Sequence, residues 1–322
     1  MNSSSIKAFK EILQSKTTFC LTSHIDPDGD GLGGILTLYF ALRQLQKNVH
    51  MVLSGPIGER YHFLPGAEAI QIGLPDNLPR NKETVLLTVD APNIPRLGFE
   101  TSAINKLDPF VINLDHHTSN EQFGDLNIMD EEASASCEVI YYLLEELNIT
   151  WTSDMATNCY TGILTDTGRF RFSNTRPQTF VAASHLLSAG AAHRQVIRVL
   201  FEEKPYSRLQ LEAKVLNTMR KDGSLAWMHC TQEMIATTGC EDTENLVNRL
   251  TEIEDVEVAV FLREINQDLT KVSFRSVNNV DVNSIAGNFG GGGHAKASGA
   301  KLPHNLTKST EKVLNACRAV LK

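Results

Sequence analysis

Residues 17–34, TTFCLTSHIDPDGDGLGG, decide how the rest of the chain is read. The apolar run over 17–23 has the length and β-branched content of a buried strand, and residues 33–46, GGILTLYFALRQLQ, repeat apolar side chains at helical spacing. Between strand and helix, seven residues carry His24, Asp26, Asp28 and Asp30. Carboxylates crowded in this way repel one another and resist ionisation unless a cation neutralises them. Gly29, Gly31, Gly33 and Gly34 let the backbone turn sharply there. A calcium loop of the EF-hand type would need Glu at its twelfth position, which counted from Asp26 is Thr37, inside an apolar stretch. A solvated Asp/Gly turn is the other reading of these residues taken alone.

Working outward, apolar runs recur at 48–54, 83–89 and 109–114, separated by helical stretches. That alternation predicts an α/β domain built on a parallel sheet with helices on both faces. Ligands of such sheets sit at the carboxyl ends of the strands. Here the runs end in His24, in Asp90 and in Asp115-His116-His117. Imidazole with carboxylate is a ligand set for transition metals. Asp166, in GILTDTGRF, follows another apolar run. Alone, Asp90 or Asp166 would pass for a helix cap; with the other two motifs they suffice for a pair of metals.

Residues 134–206 read as helical, and a different rhythm follows: strands at 224–230, 256–265 and 270–277, helices at 243–253, 282–289 and 307–321. This predicts a smaller C-terminal α/β domain. The expected division is 1–195 for the first domain, 196–214 for a helical linker and 215–322 for the second. The run GGGGH at 290–294 reads as a loop, its consecutive backbone N–H groups converging on an anion, and no Gly-Lys-Ser/Thr follows to make it a Walker loop. Gly291, Gly292 and Gly293 would cradle phosphate, with His294 and Lys296 adding charge. Arg263 and Arg275, each inside a strand pattern, are the further candidates for substrate binding.

Composition limits the function. With 322 residues, 42% hydrophobic and 21% charged, the chain can build two cores and is not disordered. No apolar run reaches the roughly 18 residues of a membrane span, and the first residues lack a signal-peptide core, so a cytoplasmic protein with no membrane partner is expected. Six scattered cysteines without a C-x-x-C pair read as reduced, buried thiols. A net charge of −8 argues against coating long duplex nucleic acid and leaves a small phosphate substrate, held by a local basic pocket or by metal.

The ordered set His24-x-x-x-Asp28-x-Asp30, Asp90, Asp115-His116-His117, Asp166 and GGGGHAKASG resembles the DHH phosphoesterase superfamily with its DHHA1 domain, over nearly the whole chain. The resemblance implies an N-terminal DHH catalytic domain and a C-terminal DHHA1 substrate-binding domain. It implies two Mn2+ ions (Mg2+ or Co2+ being able to substitute): His24 and Asp28 on one, Asp30, His116 and Asp166 on the other, Asp90 bridging. His117 would face the substrate phosphate and Asp115 would orient a histidine, together the catalytic pair; Asp26 holds no ligand position. Phe274-Arg275-Ser276 matches the family's substrate-binding arginine motif, favouring Arg275 over Arg263. Metals about 3.5–4 Å apart clamp the attacking and leaving oxygens of an in-line displacement at phosphorus. Among family branches, the stand-alone size implies a nano-RNase, which degrades short single-stranded RNA to mononucleotides and 3′-phosphoadenosine 5′-phosphate (pAp) to AMP, acting as a homodimer. The alternative branch is a phosphodiesterase for cyclic di-AMP or linear dinucleotides. A RecJ-type DNA exonuclease would carry a further OB-fold domain.

Overall fold

The computed structural model describes residues 3–321, and the chain folds into two units, Met1–Glu203 and Lys204–Lys322. The first is a six-stranded parallel sheet: β1 (Thr18–Ser23), β2 (Asn48–Leu53), β3 (Ile70–Ile72), β4 (Thr84–Val89), β5 (Phe110–Asp115) and β6 (Leu126–Met129). Its order is β3-β2-β1-β4-β5-β6, so the chain reverses direction across the sheet between β1 and β4. A crevice opens at such a switch point, beyond the carboxyl ends of the two strands.

Helices cover both faces, as parallel strands require. On one face Phe19, Leu21, Leu87 and Leu114 pack with α1 (Ser3–Ser15), α2 (Gly29–Gln44) and α4 (Ser136–Glu146); on the other, Cys20, Val52 and Leu86 pack with α3 (Thr101–Leu107). An outer helical layer joins α5 (Ser153–Asp166), α6 (Pro177–Ser188) and α7 (His193–Ile197). A π-helical turn, Arg198–Glu202, ends the unit.

The second unit opens with α8 (Tyr206–Leu216), whose Leu211 and Val215 are buried in that unit's own core. Within the segment 196–214, Val196 belongs to the first core and Leu211 to the second. There follow β7 (Arg220–Asp222), β8 (Leu225–Cys230), α9 (Gln232–Thr238), β9 (Val258–Asn266), β10 (Leu269–Ser276), α10 (Val282–Gly287), β11 (Gly292–His294), β12 (Ala297–Leu302) and α11 (Leu306–Val320). They form a mixed sheet in the order β11-β12-β10-β9-β8-β7, with α10 and α11 on one face and α8 and α9 on the other.

Three expectations are corrected. Helix α2 starts at Gly29, four residues earlier than its apolar pattern, because the Asp28 side chain caps it by accepting from the N–H groups of Asp30 and Gly31. Its glycines are there for close packing: a Cβ on Gly33 would stand 2.4 Å from the carbonyl oxygen of Asn158 on α5. The helix expected at 243–253 is shorter, a 3-10 helix over Leu246–Glu252. The glycine-rich segment is a hairpin rather than a loop, β11 pairing with β12 from Gly292 opposite Gly299 to His294 opposite Ala297.

Candidate metal centre

Strand register builds the centre. β1 and β4 end level, Ser23 opposite Val89, and β4 and β5 pair Val89 with Leu114. The next residue on each strand is His24, Asp90 and Asp115, so three ionisable groups stand side by side at one edge of the sheet. Asp90 turns there with φ of 58°, in the left-handed region that Asp and Asn tolerate best among residues with a side chain.

Around this edge the ligating atoms fall into groups within 4.8 Å: His24, Asp28 and Asp90; Asp30, His116 and Asp166; and Asp90, Asp115, His116 and His117. Asp90 is nearly buried between the first two groups, with Oδ2 3.4 Å from His24 Nε2 and Oδ1 3.8 Å from His116 Nε2. Asp30 is fully buried, and its two oxygens accept from Ser136 N (2.6 Å) and Cys137 N (2.9 Å) at the start of α4. Asp166 closes α5, which Gly33 allows to approach α2.

The histidines are oriented from behind. His24 Nδ1 lies 2.8 Å from the Ile25 carbonyl and His116 Nδ1 3.1 Å from that of Ala133, which leaves Nε2 of each facing the carboxylates. Buried Asp115 Oδ1 accepts from the N–H groups of His116 and His117 and from His117 Nδ1 (2.7 Å), while Asn120 donates to Oδ2. The His117 side chain is 43% exposed, so its Nε2 is the ring nitrogen available to a bound molecule.

The charges do not balance within the chain. Burial raises the pKa of Asp30 and of Asp166, and neighbouring carboxylates raise them further. Burial works against the imidazolium of His116, yet Asp166, Asp30 and Asp90 push its pKa up to about 10. Burial also opposes charge on His24, but the bond to Asp90 wins and its pKa rises; the bond to Asp115 raises that of His117. Asp90, penalised by burial, is lowered by its three histidine neighbours. Among the described residues, protons on histidines are what compensates these carboxylates.

The donor set fits divalent metal. His116 Nε2 is buried and lies 3.2 Å from Asp166 Oδ2 without the alignment of a hydrogen bond, so it is left without a hydrogen-bond partner. A cation between His116, Asp30 and Asp166 would satisfy that nitrogen and neutralise the carboxylates beside it. Asp26 is exposed with φ of 52° and belongs to none of the groups.

In the second unit, Arg263 on β9 and Arg275 on β10 line one pocket of about 350 Å³ with Lys271, Ser273 and the acidic loop residues Glu241, Asp242 and Glu244. Arg275 Nε donates to Asn248 Oδ1 at 3.1 Å, and burial lowers its guanidinium pKa. Arg263 Nη1 donates to Thr243 Oγ1 at 3.3 Å, while its Nε is buried without a partner. Gly291, Gly292, Gly293, His294 and Lys296 are not among the residues lining this pocket. The hairpin itself demands two of these glycines: a Cβ on Gly291 would meet the Gly299 carbonyl oxygen at 2.1 Å, and Gly293 has φ of 147°. Sequence reasoning missed Lys271, directly opposite Arg263 in the ladder. It also missed Ser136, whose Oγ donates to Asp90 Oδ1 at 3.1 Å. The run Ser134-Ala-Ser136 just ahead of an apolar helix was the available signal.

Comparison with known proteins agrees with this geometry. Residues 18–163 match the DHH family, N-terminal domain, and residues 236–322 the DHHA1 domain. The chain is 35% identical to the bifunctional oligoribonuclease and PAP phosphatase NrnA of Thermus thermophilus, over 94% of this chain and 89% of that one. It is 28% identical to the protein of the same name from Bacillus subtilis, over 88% and 89%. An exopolyphosphatase-related protein from Bacteroides fragilis superposes with a TM-score of 0.88 at 25% identity, covering 99% of this chain and 96% of that one. With its sheet-edge carboxylates and histidines in that family's domain, this chain belongs to the DHH family of metal-dependent phosphoesterases, with DHHA1 as its second domain.

Proposed function

We propose that this chain hydrolyses short oligoribonucleotides to mononucleotides, and pAp to AMP and phosphate, with two divalent ions, Mn2+ being the expected metal. The observation that carries the reading is Asp90, placed between His24 with Asp28 on one side and Asp30, His116 and Asp166 on the other. These six residues would hold the metals. Divalent cations there supply Lewis-acid charge to a phosphoryl group and lower the pKa of an attacking water.

The chain's own groups do the rest. Asp115 holds His117 through Nδ1 and favours its imidazolium, so His117 Nε2–H would donate to a phosphate oxygen and then to the departing one. Arg275 and Arg263, with Lys271 in the same pocket, would anchor a phosphate of the substrate. Gly291, Gly292, Gly293, His294 and Lys296 would contact the nucleotide from the hairpin. A small substrate of few phosphates suits a protein of net charge −8, whose pocket here sets Arg263, Lys271 and Arg275 beside Glu241, Asp242 and Glu244. The names of the relatives at 35% and 28% identity support these substrates over cyclic dinucleotides. Among the described residues no helix is long and apolar enough to cross a membrane; a cytoplasmic homodimer completes the proposal, its assembly to be checked by sedimentation.

The test is product analysis with Mn2+ on a ribonucleotide trimer, pAp, cyclic di-AMP and pyrophosphate. Rapid cleavage of the trimer and pAp is expected. Preference for cyclic di-AMP would move the role to second-messenger turnover, and no cleavage of any of the four would overturn the enzymatic reading.

A further inference from the structure

The candidate ligands lean on one short stretch of chain, residues 133–137. The Ala133 carbonyl fixes the ring of His116. Ser136 and Cys137 give both oxygens of Asp30 a backbone N–H, and Ser136 Oγ reaches Asp90. Three side chains of the centre thus take their orientation from five consecutive residues. The N-terminal residue of α4 cannot set this alone, because the stretch before it is irregular backbone.

What pins that stretch is Glu138. Its carboxylate is fully buried and accepts from Ser134 N (3.1 Å), Ser134 Oγ (2.5 Å), Thr179 Oγ1 (2.7 Å) and Arg176 Nη2 (2.6 Å). Arg176 and Thr179 open α6, so the carboxylate ties that helix to the loop carrying Ser134. Asn174 reinforces the tie, its Nδ2 lying 3.0 Å from the Ser134 carbonyl oxygen and 3.2 Å from that of Asp166. A buried charge held by four donors is a costly arrangement if its purpose is stability alone, since well-packed apolar groups serve a core as well or better.

We propose that Glu138 is a positioning residue of the metal centre: through Ser134 and the start of α4 it sets where Asp30, Asp90 and His116 stand. The inference rests on the reading of that centre as a metal site, but not on which phosphoester is cleaved. Groups that orient metal ligands typically cost about 10–100-fold in metal affinity when altered.

The experiment is Glu138→Gln in the full chain. Gln keeps the shape but gives Arg176 no charge and cannot accept from all four donors. Calorimetric titration with Mn2+ alone should show binding weakened about 10–100-fold. At saturating Mn2+, kcat for pAp should fall with KM within about twofold, since substrate contacts are untouched. If the variant does not fold, Ser134→Ala carries the test with a several-fold loss of Mn2+ affinity. Unaltered Mn2+ affinity with only a lowered melting temperature would overturn the proposal and leave Glu138 a structural residue. Failure of the unaltered protein to bind Mn2+ would overturn the metal centre and this inference together, whereas Mn2+ binding without pAp cleavage would count against the substrate alone.

Discussion

Asp30 and Glu212 are carboxylates withdrawn from solvent, one in each unit, and their surroundings drive them in opposite directions. Glu212, on α8, is penalised by burial but receives Lys204 Nζ at 3.0 Å and Arg249 Nε at 2.7 Å, with Arg208 Nη1 3.6 Å away, and its pKa falls. Asp30 is penalised by burial and then by Asp166 and Asp90, and its pKa rises well above the ordinary value. One cluster finds its cations within the chain. The other is left in surplus, its positive neighbours among the described residues being histidines. A structural ion-pair network and a ligand set can thus be told apart by whether the charge closes without help from outside.

The sharpest way to break this distinction is at Asp90. Because its φ of 58° would strain Ala, Asp90→Asn is the cleaner substitution. It removes the carboxylate shared by both groups, and hydrolysis of pAp is expected to fall by about a thousandfold or more, the several kcal/mol that metal charge supplies at phosphorus. Glu212→Gln, by contrast, should leave kcat within about twofold. Comparable losses in the two variants, measured at saturating Mn2+, would erase the difference between the clusters.

Metal addition probes the same contrast through stability. At free Mn2+ about 100 times its Kd, folding should gain about 2.7 kcal/mol, read as a raised melting temperature that a chelator reverses. The gain should vanish in Asp90→Asn and persist in Glu212→Gln. A metal-induced shift that survives loss of Asp90 would place the ion elsewhere.

How much of this was legible beforehand follows from where the signals lay. The parallel sheet and the ionisable residues at its carboxyl edge could be read because apolar strands end abruptly in His24, Asp90 and Asp115, a pattern fixed by local sequence. Strands β3, β6 and β7 were not, being three or four residues long and largely unburied, with too few side chains to show a period. The glycine run read as a loop because its composition says nothing of the Gly291–Gly299 contact that turns it into a hairpin. The supports of the centre were hidden for a different reason. Ser136 N, Cys137 N and the Ala133 carbonyl are backbone groups, which every residue has and no sequence marks.

Glu212 also gives the comparison a pH dependence. Its folded-state pKa is depressed, so its contribution to stability is present above the unfolded value of about 4.3 and is lost as pH falls through the lower folded value. Replacing it by Gln should cost about 2 kcal/mol near pH 7, less than a fully buried pair because Arg249 and Lys204 remain partly solvated. Urea unfolding followed by Trp227, with Trp151 replaced by Phe, isolates the second unit's signal. The stability gap between the parent protein and its Glu212→Gln variant should narrow as pH falls below the unfolded value and close once it passes the lower folded one; a gap that widens on acidification would contradict the lowered pKa.

The smallest expected effect tests whether the second unit's pocket contributes binding at all. Arg275 differs from Glu212's partners in that no carboxylate among the described residues forms an ion pair with it; its guanidinium donates to Asn248 and to the Phe274 carbonyl, both neutral. A half-buried cation with only neutral partners retains charge for an anion, whereas Arg249 is already spoken for by Glu212 and Glu252. Removing Arg275 should therefore raise KM for pAp about tenfold, the worth of one charge-assisted hydrogen bond, with kcat little changed. Arg249→Ala should leave KM alone and lower stability instead. A loss in kcat rather than KM for Arg275→Ala would mean that the arginine acts on the reacting phosphate, and the proposed role of the second unit's pocket as an anchor alone would fall.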